Sequence, residues 1–467
     1  MFLKQKNKTK NIIGFEKGVS IIEALVLIFV FSISALAFYS VFSVAVHYIT
    51  NSKNKVIAVS LANERMELLR NLGYEDVAID GGIPDGDIDP DEYVTIGDNT
   101  FHLITDVRYY DDPEDGTFGG TPNDSVPNDY KIVSIVVYWG TEDETEKATL
   151  SSRFVPPGVE TSAGGGTLSL NAIDFSGSPV FNVSVNIFND QVSPVVDYTT
   201  TTDSNGNLLL QGVPGDVDQN YKIIFSKSGH ETVTTYSPPD VTFIPEYGHV
   251  AIVEGSLNER TMKINLLSDL SISSVDPFGN DIENVGFTLT GGKRLDDGTS
   301  ETPTYNYTDT HTTNLSGVFS IEDISPGTYE IEIGTAVSDD YVLWKGGSVD
   351  EGKENTQELN LSPADDMSVD VVLADKLSDS VLVKVADSAT GSPIEGAQVN
   401  LINNLLGVDI TLDTDEFGNV YFPEDESAPL QNGETYSLEI SAMNYDDNST
   451  DATINGLVVK EVNLISI

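Results

Sequence analysis

Residues 19–49 form a largely apolar run that contains one charged side chain, Glu23, and neither glycine nor proline. About 20 apolar residues suffice for a helix to span the hydrocarbon of a bilayer, so the run predicts a helix of membrane length. Past Ile49 the pattern changes without a break. Ile57, Leu61, Met66, Leu68, Leu69 and Leu72 recur at roughly helical spacing, with Lys53, Lys55, Glu64, Arg65, Glu67 and Arg70 between them. Gly73 is placed to cap the C-terminus. One continuous helix over residues 19–72 would be about 80 Å long at 1.5 Å per residue. Its first half suits a membrane or another apolar surround, and its second half suits packing on a globular head.

After residue 73 the period shortens to two. Tyr93–Ile96, Phe101–Tyr110, Tyr130–Trp139 and Ala148–Val155 are rich in β-branched and aromatic residues and predict strands of a small antiparallel head over 74–155. The Pro- and Gly-rich stretch 156–167 reads as a linker. Residues 168–467 then carry an internal repeat. Each copy opens with an alternating strand, a turn and a second strand: Leu168–Ile173 with Val183–Ile187, Leu270–Ile272 with Val285–Leu289, and Val381–Val385 with Val399–Leu401. A second turn follows at Asp203–Gly206, Asn314–Gly317 and Asp415–Gly418, where the first residue can close an Asx turn and the glycine can take positive φ. A late strand then opens on Tyr221, Tyr329 or Tyr436. The expected fold is α+β: a long N-terminal helix, membrane-spanning in its first half, a small antiparallel β head, and about three β-sandwich modules over 168–260, 261–375 and 376–467.

Charge narrows the function classes. The chain has 74 acidic against 24 basic residues, a net charge of −50. Phosphate repels such a surface, which excludes a general nucleic-acid binder. The basic residues are unevenly placed: Lys4, Lys6, Lys8, Lys10 and Lys17 precede the apolar run against Glu16 alone. A basic flank stays cytoplasmic, so the remainder is exported. There are no cysteines, so stability rests on packing, cations or another crosslink.

A lone carboxylate within a membrane span costs about 2.5–3.5 kcal/mol at a helix centre and less near an end. A secretory signal peptide cut near Ala35-Leu36-Ala37 would hold Glu23 in its core, and a simple uncleaved anchor gives Glu23 no role. The sequence Lys17-Gly18-Val19-Ser20-Ile21-Ile22-Glu23 resembles the class III signal of type IV prepilins and type II secretion pseudopilins. The resemblance implies that a prepilin peptidase removes residues 1–18, cutting after Gly18, and that Val19 becomes the methylated N-terminus. It also implies that Glu23 pairs with a free Val19 amine, its own or a neighbouring subunit's, during assembly with other pilin or pseudopilin subunits. The helix then covers 19–73. The repeats, the third most clearly, resemble carboxypeptidase-regulatory-like, transthyretin-like modules, close in plan to adhesin B repeats. That resemblance implies stalks, spacers or binding modules rather than catalysts.

Other constellations are less specific. Asp111, Asp112, Asp115, Asp124 and Asp129 cluster in an acidic loop between two head strands. Calcium takes six to eight oxygen ligands, which such a loop can begin to supply, although EF-hand spacing is absent and a solvated hairpin loop is the plainer reading. Lys384, Asn463 and Glu439 have the strand topology for a Lys–Asn isopeptide crosslink, but alternation with Val381, Val383 and Val385 points Lys384 outward. Trp344 with Tyr341 could form a sugar-stacking platform, or belong to the core or a strand surface. The five histidines are scattered, and nucleophile-elbow and phosphate-loop motifs are absent. The expected protein is therefore no enzyme. It is a minor pilin- or pseudopilin-like subunit in the cytoplasmic (inner) membrane, displaying modules toward a surface glycan or protein. The alternative is a membrane-anchored stalk, adhesin or carbohydrate-binding protein outside any filament.

Overall fold

The computed structural model describes residues 21–114, 116–118, 121–124, 128–140, 146–157, 164–237, 241–344 and 355–467. One long apolar helix is followed by many strands in several sheets, as the periodicity predicts. The chain divides into two compact units: residues 1–80, 86–107 and 130–157, and residues 81–85, 108–129 and 158–467. The acidic loop thus groups with the second unit.

In the first unit, helix α1 spans Ile21–Arg70, about 75 Å at 1.5 Å per residue. The described side chains from Ile21 to Ile49 are exposed, and this helix is long and apolar enough to cross a membrane. Further along, Ala58, Leu61, Ala62, Met66 and Leu69 are buried at helical spacing. They pack on a sheet ordered Asp91–Ile96, Asn99–Tyr110, Tyr130–Trp139, Lys147–Phe154. The changeover is marked by Trp139, whose indole Nε1 donates to Asn51 Oδ1 at 2.7 Å. An Arg65–Glu92 ion pair ties helix to first strand. The helix ends two residues before Leu72: the amides of Asn71 and Leu72 turn back to the carbonyls of Leu68 and Leu69, tightening the last turn. Gly73 does not take positive φ, so it is not the left-handed cap expected. Lys131 organises the loop that follows. It is fully buried, and its Nζ donates to the carbonyls of Tyr74 (2.8 Å) and Val77 (2.9 Å). Burial lowers its pKa below the usual lysine value, and Glu75 and Asp76 offset part of that.

The second unit contains three β-sandwiches. The first sets Asn207–Val213, Gly166–Ile173 and Leu257–Lys263 against a sheet built on Asp216–Ser226, Ser184–Asn189 and Val196–Thr201. The second and third repeat the plan, with Ser268–Val275 and Ser380–Asp387 as first strands and Asp366–Asp375 and Leu457–Leu464 as last strands. In every module the first and last strands pair in parallel.

The repeated turns have one chemistry. Asp203 Oδ1 accepts the amides of Asn205 and Asn207, Asn314 Oδ1 those of Ser316 and Val318, and Asp415 Oδ1 those of Phe417 and Asn419. The glycine of each turn has φ near 70°, at 74° in Gly206, 67° in Gly317 and 72° in Gly418. An earlier Asx turn, on Asp174, Asp276 and Asp387, was not singled out from sequence. The three repeat tyrosines are buried in the cores. Tyr221 and Tyr329 donate to the carbonyls of Pro214 and Ser325, both at 2.7 Å, and Tyr436 Oη accepts the Gln431 amide at 3.0 Å. Burial raises the pKa of Tyr221 and Tyr329, so both stay neutral and hold the loop before their strand.

Candidate functional site

Gly18 and Val19 lie outside the described residues, and Glu23 lies within the first turns of α1. The acidic loop is partly described. Asp115 falls outside the described residues, whereas Asp111, Asp124 and Asp129 each bring a carboxylate oxygen within 4.8 Å of the others. Two short strands, Thr117–Phe118 and Asn123–Asp124, pair in parallel and fix the position of Asp124. Asp129 is buried, and its Oδ2 accepts the backbone amide of Asp112. The Asp112 carboxylate instead accepts the amide of Glu114 at 3.3 Å, closing a local turn. Among the four described carboxylates, the loop therefore converges three into an all-oxygen, anionic donor set, the chemistry that hard divalent cations require.

The alternation that argues against a crosslink holds in the structure. Val381, Val383 and Val385 belong to the core of the third sandwich, which leaves Lys384 on the outer face of its sheet. Lys384 lies opposite Asn419 and Glu461 in the register, and Asn463 opposite Ala386. Glu439 alternates with the core residues Leu438 and Ile440 on the other sheet, so it faces out on the opposite side of the sandwich. A proton-shuttling acid at Glu439 is thus separated from Lys384 by the whole core.

Of the two readings of Trp344, the structure takes the core one. Its ring lies 5.8 Å from that of Tyr421, and its carbonyl accepts Asn419 Nδ2 at 2.6 Å. Ala374, Leu382 and Tyr421 form a small buried cluster, against which Phe278, Val342 and Trp344 pack. Because this cluster draws on the second and third modules, Trp344 is an element of their joint.

The first and second modules are joined by charge, a feature not anticipated from sequence. Glu231 is buried, its side chain 1% exposed, and its Oε1 accepts Lys293 Nζ at 3.1 Å and the Asn265 backbone and side-chain nitrogens at 3.0 and 2.9 Å. Lys293, on the strand Gly286–Arg294 of the second module, also donates to the carbonyl of Lys263 at 3.0 Å. Alongside, the Glu246 amide donates to Leu295 O and the Asp297 amide to Ile244 O, at 2.8 and 2.9 Å.

Asp296 holds this second seam. Its buried carboxylate takes Arg294 Nε at 2.7 Å and the amides of Gly298 and Thr304 at 2.9 and 2.6 Å. These bonds, Arg294 foremost, hold its pKa at about 2 against the opposing effect of burial. A depressed carboxyl contributes stability above its unfolded value near 3.8 and loses it as pH falls through about 2. Between pH 4 and 2 the wild-type joint should therefore weaken more steeply than that of Asp296→Asn. Amide hydrogen exchange at Glu246 and Asp297 measures this, and parallel pH profiles in the two proteins would refute it.

No family model and no curated protein matches the chain. Solved structures resemble it distantly. The TIE protein of Bacillus anthracis is 14% identical, with 81% of this chain and 74% of that one covered, at a TM-score of 0.19. A streptococcal ancillary pilin is 14% identical over 65% of this chain and 99% of its own, at a TM-score of 0.19. The minor pilin of the Gram-positive pathogen Streptococcus agalactiae is 17% identical over 43% and 96%, at 0.16. At such identities and scores the likeness carries no argument about what this chain does.

Proposed function

We propose that the chain is a minor pilin- or pseudopilin-like subunit, without catalytic activity, that displays three β-modules from a membrane or filament. In this reading a prepilin peptidase cuts after Gly18, Val19 becomes the methylated N-terminus, and Glu23 pairs with a Val19 amine. The observation that carries it is the division of α1: an exposed apolar half runs without a break into a half whose buried face packs on the head sheet. Mass spectrometry of the mature protein tests it. A methylated Val19 is expected; an intact Met1, or a start at Phe38, would overturn it. The interlocked joints between modules favour a second reading, an anchored surface stalk that never enters a filament.

The acidic loop is assigned to calcium, with Asp111, Asp124 and Asp129 as ligands. Calcium at 100 times its dissociation constant should stabilise the folded protein by about 2.7 kcal/mol. Asp129→Asn should abolish that stabilisation while leaving the calcium-free protein folded. Thermal unfolding with calcium and with chelator measures it. Identical curves for the wild type in the two buffers would leave the loop a solvated acidic turn.

A further inference from the structure

We propose that a groove on the first module, lined by Phe175 and Phe181, docks an apolar peptide segment of a partner protein that carries a carboxylate. This site is independent of whether the helix enters a filament. Phe175 is 65% exposed and Phe181 59%. With Leu266, Lys227, His230 and Pro363 of the second module they line a groove of about 320 Å³, room for an anchoring side chain at the lower end of ligand-site volumes. The sister modules show that the fold does not require these residues. The amides of Val183, Val285 and Ala397 each donate to a threonine hydroxyl, on Thr202, Thr313 and Thr414, which sets the three modules in one register. Two positions before these amides, Phe181 is matched by Glu283 and Glu395. Phe225, Ile333 and Ile440 pair with the equivalent Val185, Phe287 and Val399, and two positions beyond them Lys227 is matched by Thr335 and Ala442. The first module alone combines the exposed ring and the cation.

Charge selects the occupant. Lys227 Nζ donates to the Phe181 carbonyl at 2.8 Å and lies 4.1 Å from the centroid of the Phe181 ring. Among the described residues no carboxylate pairs with it, in a chain with 74 acidic side chains against 24 basic. An ammonium has three donors, so Lys227 keeps two for an acceptor brought from outside. Asp174 also lines the groove, but its Oδ1 is committed to its own turn, accepting the amides of Ser176 and Ser178 and the Ser176 hydroxyl. The cation beside exposed rings therefore complements an apolar segment with an acidic residue and disfavours one with a lysine. The corresponding turn of the second module argues that the occupant is protein. There Phe278 lies 5.9 Å from Tyr421 of the third module and packs into their joint. That turn docks its ring where a neighbouring module supplies the surface, whereas Phe175 presents its ring to solvent. Exposed apolar patches rimmed by polar groups mark protein interaction sites.

The test uses the full chain in lipid nanodiscs, since detergent would compete for the groove. The probe is an array of end-blocked octapeptides with two apolar positions, drawn from Leu, Ile, Phe and Met, around one position set to Asp, Asn or Lys. Asp peptides should bind, and more tightly than their Asn and Lys counterparts. Phe181→Glu gives the first module the residue that its sisters carry. It should lower affinity about tenfold or more, equivalent to 1.4 kcal/mol or more. Lys227→Ala, the residue of the third module, should erase the preference for Asp over Asn. Leu405→Ser, at an exposed apolar position outside the groove, should bind as the wild type does. Thermal unfolding confirms that the variants remain folded. Absence of Asp-peptide binding, binding untouched by Phe181→Glu, or an Asp preference that survives Lys227→Ala would each overturn the assignment. Self-association that Phe181→Glu removes, with no peptide bound, would overturn it in favour of a second copy of the chain. None of these outcomes depends on processing at Gly18.

Discussion

Replacing Lys293 with methionine should destabilise the joint between the first and second modules by about 3–5 kcal/mol, because it strands a buried carboxylate. Glu231 has a side chain only 1% exposed, and Lys293 is the cation that meets it. The amides of Asn265 satisfy part of the carboxylate but do not balance its charge. The double variant Glu231→Leu, Lys293→Met should recover most of the loss, since removing both charges also removes the cost of burying them. Denaturant unfolding of the single and double variants measures the difference as a double-mutant cycle. A single variant within about 1 kcal/mol of the wild type, the range of exposed pairs, would show that water reaches the pair and that the joint is held otherwise.

Glu23→Ala should abolish incorporation into filaments while leaving cleavage after Gly18 largely intact. A carboxylate in an apolar surround must find a cation or take up a proton, and in the proposed assembly that cation is the amine of Val19. Alanine removes the pairing and the axial register it would set, but leaves a helix long and apolar enough to cross a membrane. Sheared filament fractions probed for the protein, beside whole-cell controls, read the effect. Incorporation at wild-type level would sink the filament role and leave the anchored stalk.

Local regularities in the sequence reached far into this fold. The apolar run and its continuation at helical spacing mark α1, and the alternation in Tyr130–Trp139 marks a head strand of the same bounds. The Asx–Gly turns and repeat tyrosines were legible because each depends on a few neighbouring residues. The helix end was misplaced by a glycine whose backbone stays out of the left-handed region, which residue identity alone does not reveal. The joints were illegible for another reason. Glu231 and Lys293 are 62 positions apart in different modules, Trp344 and Tyr421 also lie far apart in different modules, and no periodicity couples either pair. The acidic loop was half legible: its composition named five carboxylates, and among the four described ones backbone geometry chose which converge.

The parallel pairing of first and last strands bears on how the modules answer force. Tension along the chain would enter a module at the start of its first strand and leave at the end of its last. In a parallel pair those two points lie at opposite ends. The pull then runs along the strands and shears the evenly spaced ladder bonds together, rather than opening them one after another. Seven residue pairs stand in register in the first module, seven in the second and eight in the third. Only residues 264–267 and 376–379 separate each last strand from the next first strand, so little slack lies between modules. Lifetime under traction is set by the rate of unfolding rather than by equilibrium stability, and shear geometry resists that step. A surface held in flowing liquid would draw on this property before it drew on any ligand.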